Sequence, residues 1–143
     1  MTQPAPLNGQ VIGQAERATR AVLEELLAET DTTFTNWVAL NLVATHGTVT
    51  VDSLVEQLVT GLRITDAEAR RSIDDLVSSA LMTVAGTVRL TTGGRGRYQR
   101  ISDGVADITR RLYHDIPHDD LVVARRVFET LTERARAELA NAS

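Results

Sequence analysis

The stretch VDSLVEQLVTGLRITDAEARRSIDDLVSSALMTVAGTVRL, residues 51–90, decides the fold of this chain. Its apolar residues first recur at three- and four-residue steps, which indicates two short helices, and the end of the stretch then reads as two short strands. Thr50 and Thr65 are suited to cap the two helices, and Gly61 is suited to the turn between them. The order helix, turn, helix and β-hairpin suits a chain that places its second helix in the major groove of DNA.

The distribution of charge agrees with this interpretation better than the net charge does. The chain carries a formal charge of −4, yet residues 61–100 hold seven arginines against four acids and are therefore net positive. All 15 basic residues are arginine, which can bind phosphate or guanine through two parallel hydrogen bonds. Chance clustering of charge is the alternative.

Long amphipathic helices flank this stretch on both sides. Asn8 is predicted to cap a first helix that runs to about Glu29, and a second follows over about residues 35–45. After the strands, a helix is predicted from Thr91 or Thr92 through Leu112, and Pro117 opens a last one. Gly93, Gly94 and Gly96 weaken the start of the helix after the strands, each at about 1 kcal/mol relative to alanine.

Composition excludes several classes of protein. The chain has no cysteine, so disulfides, thiolate metal sites and thiol redox sensing are excluded. No apolar run is long enough for a membrane span, and the polar start of the chain does not resemble a signal peptide, so we expect a cytoplasmic protein. His114 and His118 are four residues apart, but Pro117 interrupts their helix, so we predict no metal site and no cofactor. No nucleophile–base set or phosphate-binding loop points to an enzyme.

At four places the chain resembles the MarR family of transcriptional regulators. The similar segments, in chain order, are TFTNWVAL (33–40), VDSLVEQL with TDAEARRSIDDLVSSALM (51–82), VRLTTGGRGRYQRI (88–101) and IPHDDLVVARRVFETLTERARAEL (116–139). The resemblance implies a mainly α fold, a winged helix-turn-helix with long N- and C-terminal dimerisation helices and a short two-stranded β-wing. It divides the chain into a flexible tail (1–8), an N-terminal dimerisation helix (9–32), a DNA-binding region (33–91) and C-terminal dimerisation helices (92–143).

The resemblance further implies a homodimer that binds a palindromic operator on double-stranded DNA, usually as a repressor, and that a small, often aromatic, ligand releases. Candidate dimer contacts are Val11, Ile12, Val22, Leu112, Leu121, Phe128, Leu131 and Leu139. Phe34 and Trp37 are candidates for lining the ligand cavity, with ordinary core packing as the alternative. In one respect the chain departs from the family: the predicted turn over residues 85–87 is too short to carry the basic wing tip that reaches the minor groove.

The helix that follows Thr65 carries the candidate base contacts. The spacing of Thr65 and Glu68 predicts a capping box, in which each side chain bonds a free backbone N–H of the other residue. We predict a core face of Ala69, Ile73, Leu76 and Ala80 and an outward face of Ala67, Glu68, Arg71 and Ser72, with Arg70 at its flank.

Arg71 is the predicted contact to a guanine edge, worth about 1–3 kcal/mol of discrimination. Arg63, Thr65 and Arg70 are predicted to bind phosphates, and Arg89, Arg95 and Arg97 to reach the flanking backbone. The alternative is that Arg70 and Arg71 are surface charges paired with Asp66, Asp74 or Asp75. For the whole chain, the alternative to a DNA-binding regulator is a dimeric winged-helix module that binds a protein or small molecule and has little affinity for DNA.

Overall fold

The computed structural model describes residues 6–142. The chain divides into two compact units, one ending at Ile108 and the other beginning at Thr109. The predicted flexible tail, residues 1–8, falls mainly on residues 1–5, which lie outside the described residues. Between residues 6 and 142, no helix combines the length and the apolar character that a membrane span requires.

The elements follow the predicted order. They are α1 (Gly9–Ala28), α2 (Phe34–His46), β1 (Val49–Thr50), α3 (Val51–Leu62), α4 (Asp66–Ser78), β2 (Met82–Ala85), β3 (Thr87–Leu90), α5 (Thr92–Leu112) and α6 (His118–Asn141).

Side-chain caps fix where the first four helices begin. Asn8 accepts a hydrogen bond from the Val11 N–H at 2.9 Å, and Thr33, Thr50 and Thr65 accept equivalent bonds at 3.1 Å. Each cap satisfies one of the backbone donors that a helix start leaves without a partner. The caps predicted at Asn8, Thr50 and Thr65 are confirmed.

The turn between α3 and α4 differs from the prediction. Gly61 lies inside α3, and Arg63 ends the helix in the left-handed conformation, with φ of 54° and ψ of 46°. A residue with a side chain pays about 1–2 kcal/mol in this conformation, which is why a glycine was expected to make the turn. The turn is nevertheless made two residues later by an arginine.

Ala80, predicted in the core, instead terminates α4. It is exposed, has φ of 60°, and its N–H donates to the Val77 carbonyl at 3.0 Å. The N–H of Leu81 donates to the Leu76 carbonyl at 2.9 Å, so the two bonds form a Schellman motif. The motif turns the chain from α4 directly into β2.

The sheet has three antiparallel strands in the order β1-β3-β2, one more than the predicted two-stranded wing. Val88 of β3 pairs with Val84 of β2 on one side and Val49 of β1 on the other. The hairpin between β2 and β3 is very tight: Ala85 pairs with Thr87, and Gly86 between them has φ of 78°. The short wing turn predicted from the sequence is therefore present.

The core of the first unit lies among α2, α3, α4 and the sheet. Leu40, Leu54, Leu58 and Val88 are fully buried there. The apolar stripes predicted for α3 and α4 supply most of this cluster, and each fully buried aliphatic side chain contributes about 1.5–3 kcal/mol. The core therefore fixes the helix pair and leaves the opposite side of α4 exposed.

A polar junction holds the start of α5 against the end of α4. The Thr91 hydroxyl donates to the Ala80 carbonyl at 2.7 Å and accepts from the Gly94 N–H at 2.9 Å. The Thr91 N–H donates to the Leu81 carbonyl at 3.0 Å. One threonine thus caps α5 and bonds to the two residues that end α4.

The second unit has no buried side chain among its described residues. It consists of the end of α5, a turn in which Asp115 has φ of 63°, and α6, which begins after Pro117. Its exposed apolar side chains are Leu112, Tyr113, Ile116, Val122, Val123, Val127, Phe128, Leu131 and Leu139. Exposed apolar surface of this extent is typical of an interaction surface.

Candidate nucleic-acid interface

Helix α4 is held by its apolar stripe and presents its other side to solvent. Ala69, Ile73 and Leu76 are buried against the core, as predicted, while Ala67, Glu68 and Arg71 are exposed. Acids Asp66 and Glu68 occupy its first turn, where they face the positive end of the helix dipole. The helix is therefore anchored on one side and available for contact on the other.

Ser72 is a correction to the predicted outward face. It is only 5% exposed, and its hydroxyl donates to the Oδ1 atom of Asn36 on α2. Position 72 lies three residues after Ala69 and four before Leu76, so helical spacing places it on the buried stripe. Its polar side chain, not its spacing, suggested an outward position.

Arg70 is held by two carboxylates. Its Nε atom lies 2.7 Å from Oδ1 of Asp66, and one terminal nitrogen lies 3.5 Å from Oδ1 of Asp52 on α3. The pKa of Arg70 is raised, first because its side chain donates a hydrogen bond to Asp66, so the guanidinium stays fully charged. The pairing with Asp66 considered from the sequence is therefore present. Exposed ion pairs of this kind contribute little and can exchange for other partners.

Arg71 differs from its neighbour. Its side chain is exposed, and no carboxylate within residues 6–142 forms an ion pair with it. The guanidinium keeps all five N–H donors for an external acceptor such as a guanine edge or a phosphate. Of the two adjacent arginines, the structure leaves Arg71 as the one that is ready for such a contact.

The capping box forms only in part. Thr65 accepts from the Glu68 N–H, but no described residue donates a hydrogen bond to the Glu68 carboxylate. The exposed carboxylate stands three residues before Arg71, so both side chains project from the same side of α4. The exposed side of α4 therefore carries a pair of opposite charges and is not a purely basic surface.

Arg63 and Thr65, the predicted phosphate contacts, bracket the turn that leads into α4. Both are exposed, and the turn places Arg63 next to the helix start. Free backbone N–H groups at a helix start favour anions, whereas the carboxylates of Asp66 and Glu68 in the same turn repel them.

None of the three arginines predicted to reach the flanking DNA backbone, Arg89, Arg95 and Arg97, lies at the wing tip. Arg89 is exposed on β3, opposite Thr83, and Gly86 forms the tip. Arg95 and Arg97 stand in the first turns of α5, where Arg97 is half-buried. The described wing thus places no basic side chain at its tip.

The two aromatic residues proposed for a ligand cavity have separate surroundings. Trp37 stacks on Tyr98 of α5, with ring centroids 5.6 Å apart and planes at 18°. Phe34 lies under the guanidinium of Arg20, which is 4.3 Å from the ring centroid. Phe34 also borders a cleft of about 420 Å³ with Glu24, Ala28, Asp31, Thr32 and Thr33.

A second cleft, of about 260 Å³, lies between α2 and the start of α5. Its wall combines apolar side chains with one arginine, a tyrosine and an amide. The lining residues are Val43, Ala44, Gly47, Leu90, Arg95, Tyr98 and Gln99. Tyr98 therefore connects this cleft with Trp37, although sequence reasoning identified neither Tyr98 nor the cleft.

Within residues 6–142, no group of three histidine, aspartate or glutamate side chains is arranged to hold a metal ion.

Comparison with known proteins finds similarity in structure only. Neither the models of protein families nor the curated proteins include a match to this chain. Among solved structures, ligand-free NadR matches with a TM-score of 0.76 and 19% identity, over 90% of this chain and 99% of that one. MarR from Staphylococcus aureus, in complex with salicylate and kanamycin, matches with a TM-score of 0.79 and 18% identity, over 90% of each chain.

A mutant of MarR from E. coli, complexed with operator DNA, matches with a TM-score of 0.71 and 20% identity, over 86% of this chain and 91% of that one. Identities of 18 to 20% establish a shared fold. The chain therefore has the winged-helix fold of the MarR proteins, as the sequence resemblance implied.

Proposed function

We propose that this chain, which has the MarR-type winged-helix fold, is a sequence-specific DNA-binding regulator that acts as a homodimeric repressor. The observation that carries the proposal is the exposed reading side of α4, where Arg71 has no acidic partner within the described residues. The MarR structure with operator DNA supports it by fold. In a dimer, two copies of α4 contact half-sites about 10 base pairs apart on a palindromic operator.

The subunit interface in this proposal comes from residues 9–32 and 92–143, and the DNA-binding region is 33–91. Exposed apolar side chains in both proposed interface segments support the assignment. Val11 of α1 is 45% exposed, and Phe128 and Leu131 of α6 are 40% and 41% exposed. Of the other proposed contacts, Leu112 and Leu139 are also exposed, and Ile12, Val22 and Leu121 are half-buried. Burial of such surface is the main driving force of subunit association.

Replacing Arg71 with alanine should weaken binding to the operator. We expect a loss of roughly 5- to 150-fold in affinity for each half-site, because a bidentate arginine–guanine contact is worth about 1–3 kcal/mol. The measurement is fluorescence anisotropy with DNA from the chain's own upstream intergenic region, at two salt concentrations. Wild-type affinity should fall steeply with salt, because phosphate contacts release counterions.

Arg100→Ala is the matched control, because Arg100 is exposed on α5 and is named neither among the proposed DNA contacts nor among the proposed subunit contacts. It should bind the operator almost as the wild type does. If the wild type shows no preference for the upstream DNA over random DNA at either salt, the regulator proposal fails. The short wing and the acids on α4 would then favour the second function, a dimeric module that binds a protein or small molecule.

We further propose that the 260 Å³ cleft binds the releasing ligand, a small single-ring carboxylic acid. Val43, Ala44 and Leu90 offer apolar contact, and Arg95 pairs with no carboxylate in the described part of the chain. The volume lies just below the roughly 300–1,000 Å³ of pockets for drug-sized molecules, so one ring fits. Arg95 would then bind the ligand's carboxylate instead of the DNA backbone.

Benzoate should change the fluorescence of Trp37, the single tryptophan, because Trp37 stacks on Tyr98 at the cleft wall. We expect a saturable change that Arg95→Ala weakens by roughly tenfold or more, since a charge-assisted bond is lost. Benzamide, which has the same shape without the charge, and the Arg100→Ala variant are the controls. Equal responses to benzoate and benzamide would refute a carboxylate site.

A further inference from the structure

The side of α4 that can touch bases is smaller than its sequence suggests. Ser72 is withdrawn into the interface with α2, and Arg70 is engaged by Asp66 and Asp52. Of the predicted outward face, Ala67, Glu68 and Arg71 remain, all exposed. Because they are spaced by three and four residues, Glu68 and Ala67 both lie on the side of the helix that carries Arg71.

The negative charge of Glu68 is unexpected on a helix that is proposed to approach DNA, which is a polyanion. Its carboxylate is exposed, and within residues 6–142 it accepts no hydrogen bond and pairs with no arginine. Near phosphates such a charge is repelled, so it lowers affinity for DNA of any sequence. An acid in the first turn also stabilises the helix through the dipole, and Glu68 shares this role with Asp66, so the dipole accounts for its helix stability but not for its place beside Arg71.

The chemistry of the major groove gives the carboxylate a specific use. An ionised carboxylate can only accept hydrogen bonds, and the groove offers donors only from the amino groups of cytosine and adenine. Glutamate is suited to the cytosine amino group, just as arginine is suited to the O6 and N7 acceptors of guanine. Glu68 as acceptor and Arg71 as donor therefore match the cytosine and the guanine of a G·C pair.

From this juxtaposition we propose that Glu68 is a specificity-determining residue that reads cytosine. The cytosine belongs to the base pair that Arg71 contacts or to the next pair, so each half-site centres on G·C pairs at this position. The inference rests on the proposed DNA-binding function and specifies its substrate. Guanine or thymine at that position would place a hydrogen-bond acceptor opposite the carboxylate, and the two acceptors would repel each other. The negative charge of Glu68 would therefore disfavour these bases more than cytosine.

The test is the Glu68→Gln variant, measured against a set of operator duplexes in which each base pair is replaced in turn. The wild type should prefer cytosine at one position of each half-site by roughly 5- to 150-fold. Glutamine pairs with the amino group and N7 of adenine, so the variant should prefer adenine at that position and keep its preferences elsewhere. Removal of the charge should also raise affinity for duplexes that lack cytosine at that position, because the repulsion from phosphates falls.

Asp66→Asn is the matched control, because it removes one negative charge from the same helix turn, where the carboxylate is already engaged by Arg70. It should change affinity by a common factor and leave the order of the duplexes unchanged. If Glu68→Gln behaves in the same way, Glu68 acts only through its charge and the inference is wrong. If the wild type discriminates among none of the duplexes, the proposed function itself fails.

Discussion

Replacing Gly94 with alanine should destabilise the first unit by about 3 kcal/mol or more, at the top of the range for overpacked sites. A Cβ atom at this position would lie 2.0 Å from the carbonyl oxygen of Leu81 and 2.9 Å from its carbonyl carbon. Both obstacles are backbone atoms, and the Leu81 carbonyl is already bonded to the Thr91 N–H at 3.0 Å. The contact therefore cannot be relieved by a side-chain rotation.

Gly96→Ala is the matched control for this prediction. Gly96 lies two residues further along α5, and a Cβ there would meet no atom within 4 Å. Alanine should stabilise the helix at this exposed position by about 1 kcal/mol, because glycine loses more backbone entropy. Urea denaturation followed by circular dichroism gives both values. Equal stabilisation by the two substitutions would show that Leu81 does not constrain Gly94.

Alanine is expected to destabilise the protein at Gly94 and to stabilise it at Gly96, two residues away. This difference shows what the sequence could and could not predict. Helical spacing correctly placed α5 and its start, and nothing within 4 Å of a Cβ at Gly96 obstructs the gain that the rule for interior glycines predicts there. The same rule fails for Gly94, because the obstacle comes from a chain segment 13 residues away that approaches only in the folded state. A local propensity cannot contain that information.

Helix α4 illustrates the same limit in the candidate site. Spacing predicted its buried residues Ala69, Ile73 and Leu76, and the threonine cap at its start. The partner of Ser72 lies 36 residues away on α2, so residue type alone suggested solvent. The engagement of Arg70 by Asp52 also depends on packing between helices, whereas its pairing with Asp66 is a local four-residue contact visible in the sequence.

The buried bond between Ser72 and Asn36 leads to the second large effect. Replacing Asn36 with alanine should cost about 1–3 kcal/mol, because the Ser72 hydroxyl is left buried without its partner. Ser72 is only 5% exposed, which limits access of a replacing water. Thermal or urea unfolding of the variant measures the loss.

A double variant separates the cost of leaving the Ser72 hydroxyl unpaired from the cost of lost packing at Asn36. Asn36→Leu with Ser72→Ala removes both polar groups and keeps apolar volume between α2 and α4, so it should recover most of the stability that Asn36→Ala loses. A double variant as unstable as Asn36→Ala would contradict the role assigned to the bond.

Operator binding by the recovered variant then measures what the bond contributes beyond stability. Since Ser72 directly follows Arg71, a slip of α4 along α2 would displace the guanidinium and lower operator affinity without changing affinity for random DNA. In some packed helices a single buried polar residue sets the register in this way, at little net gain in stability.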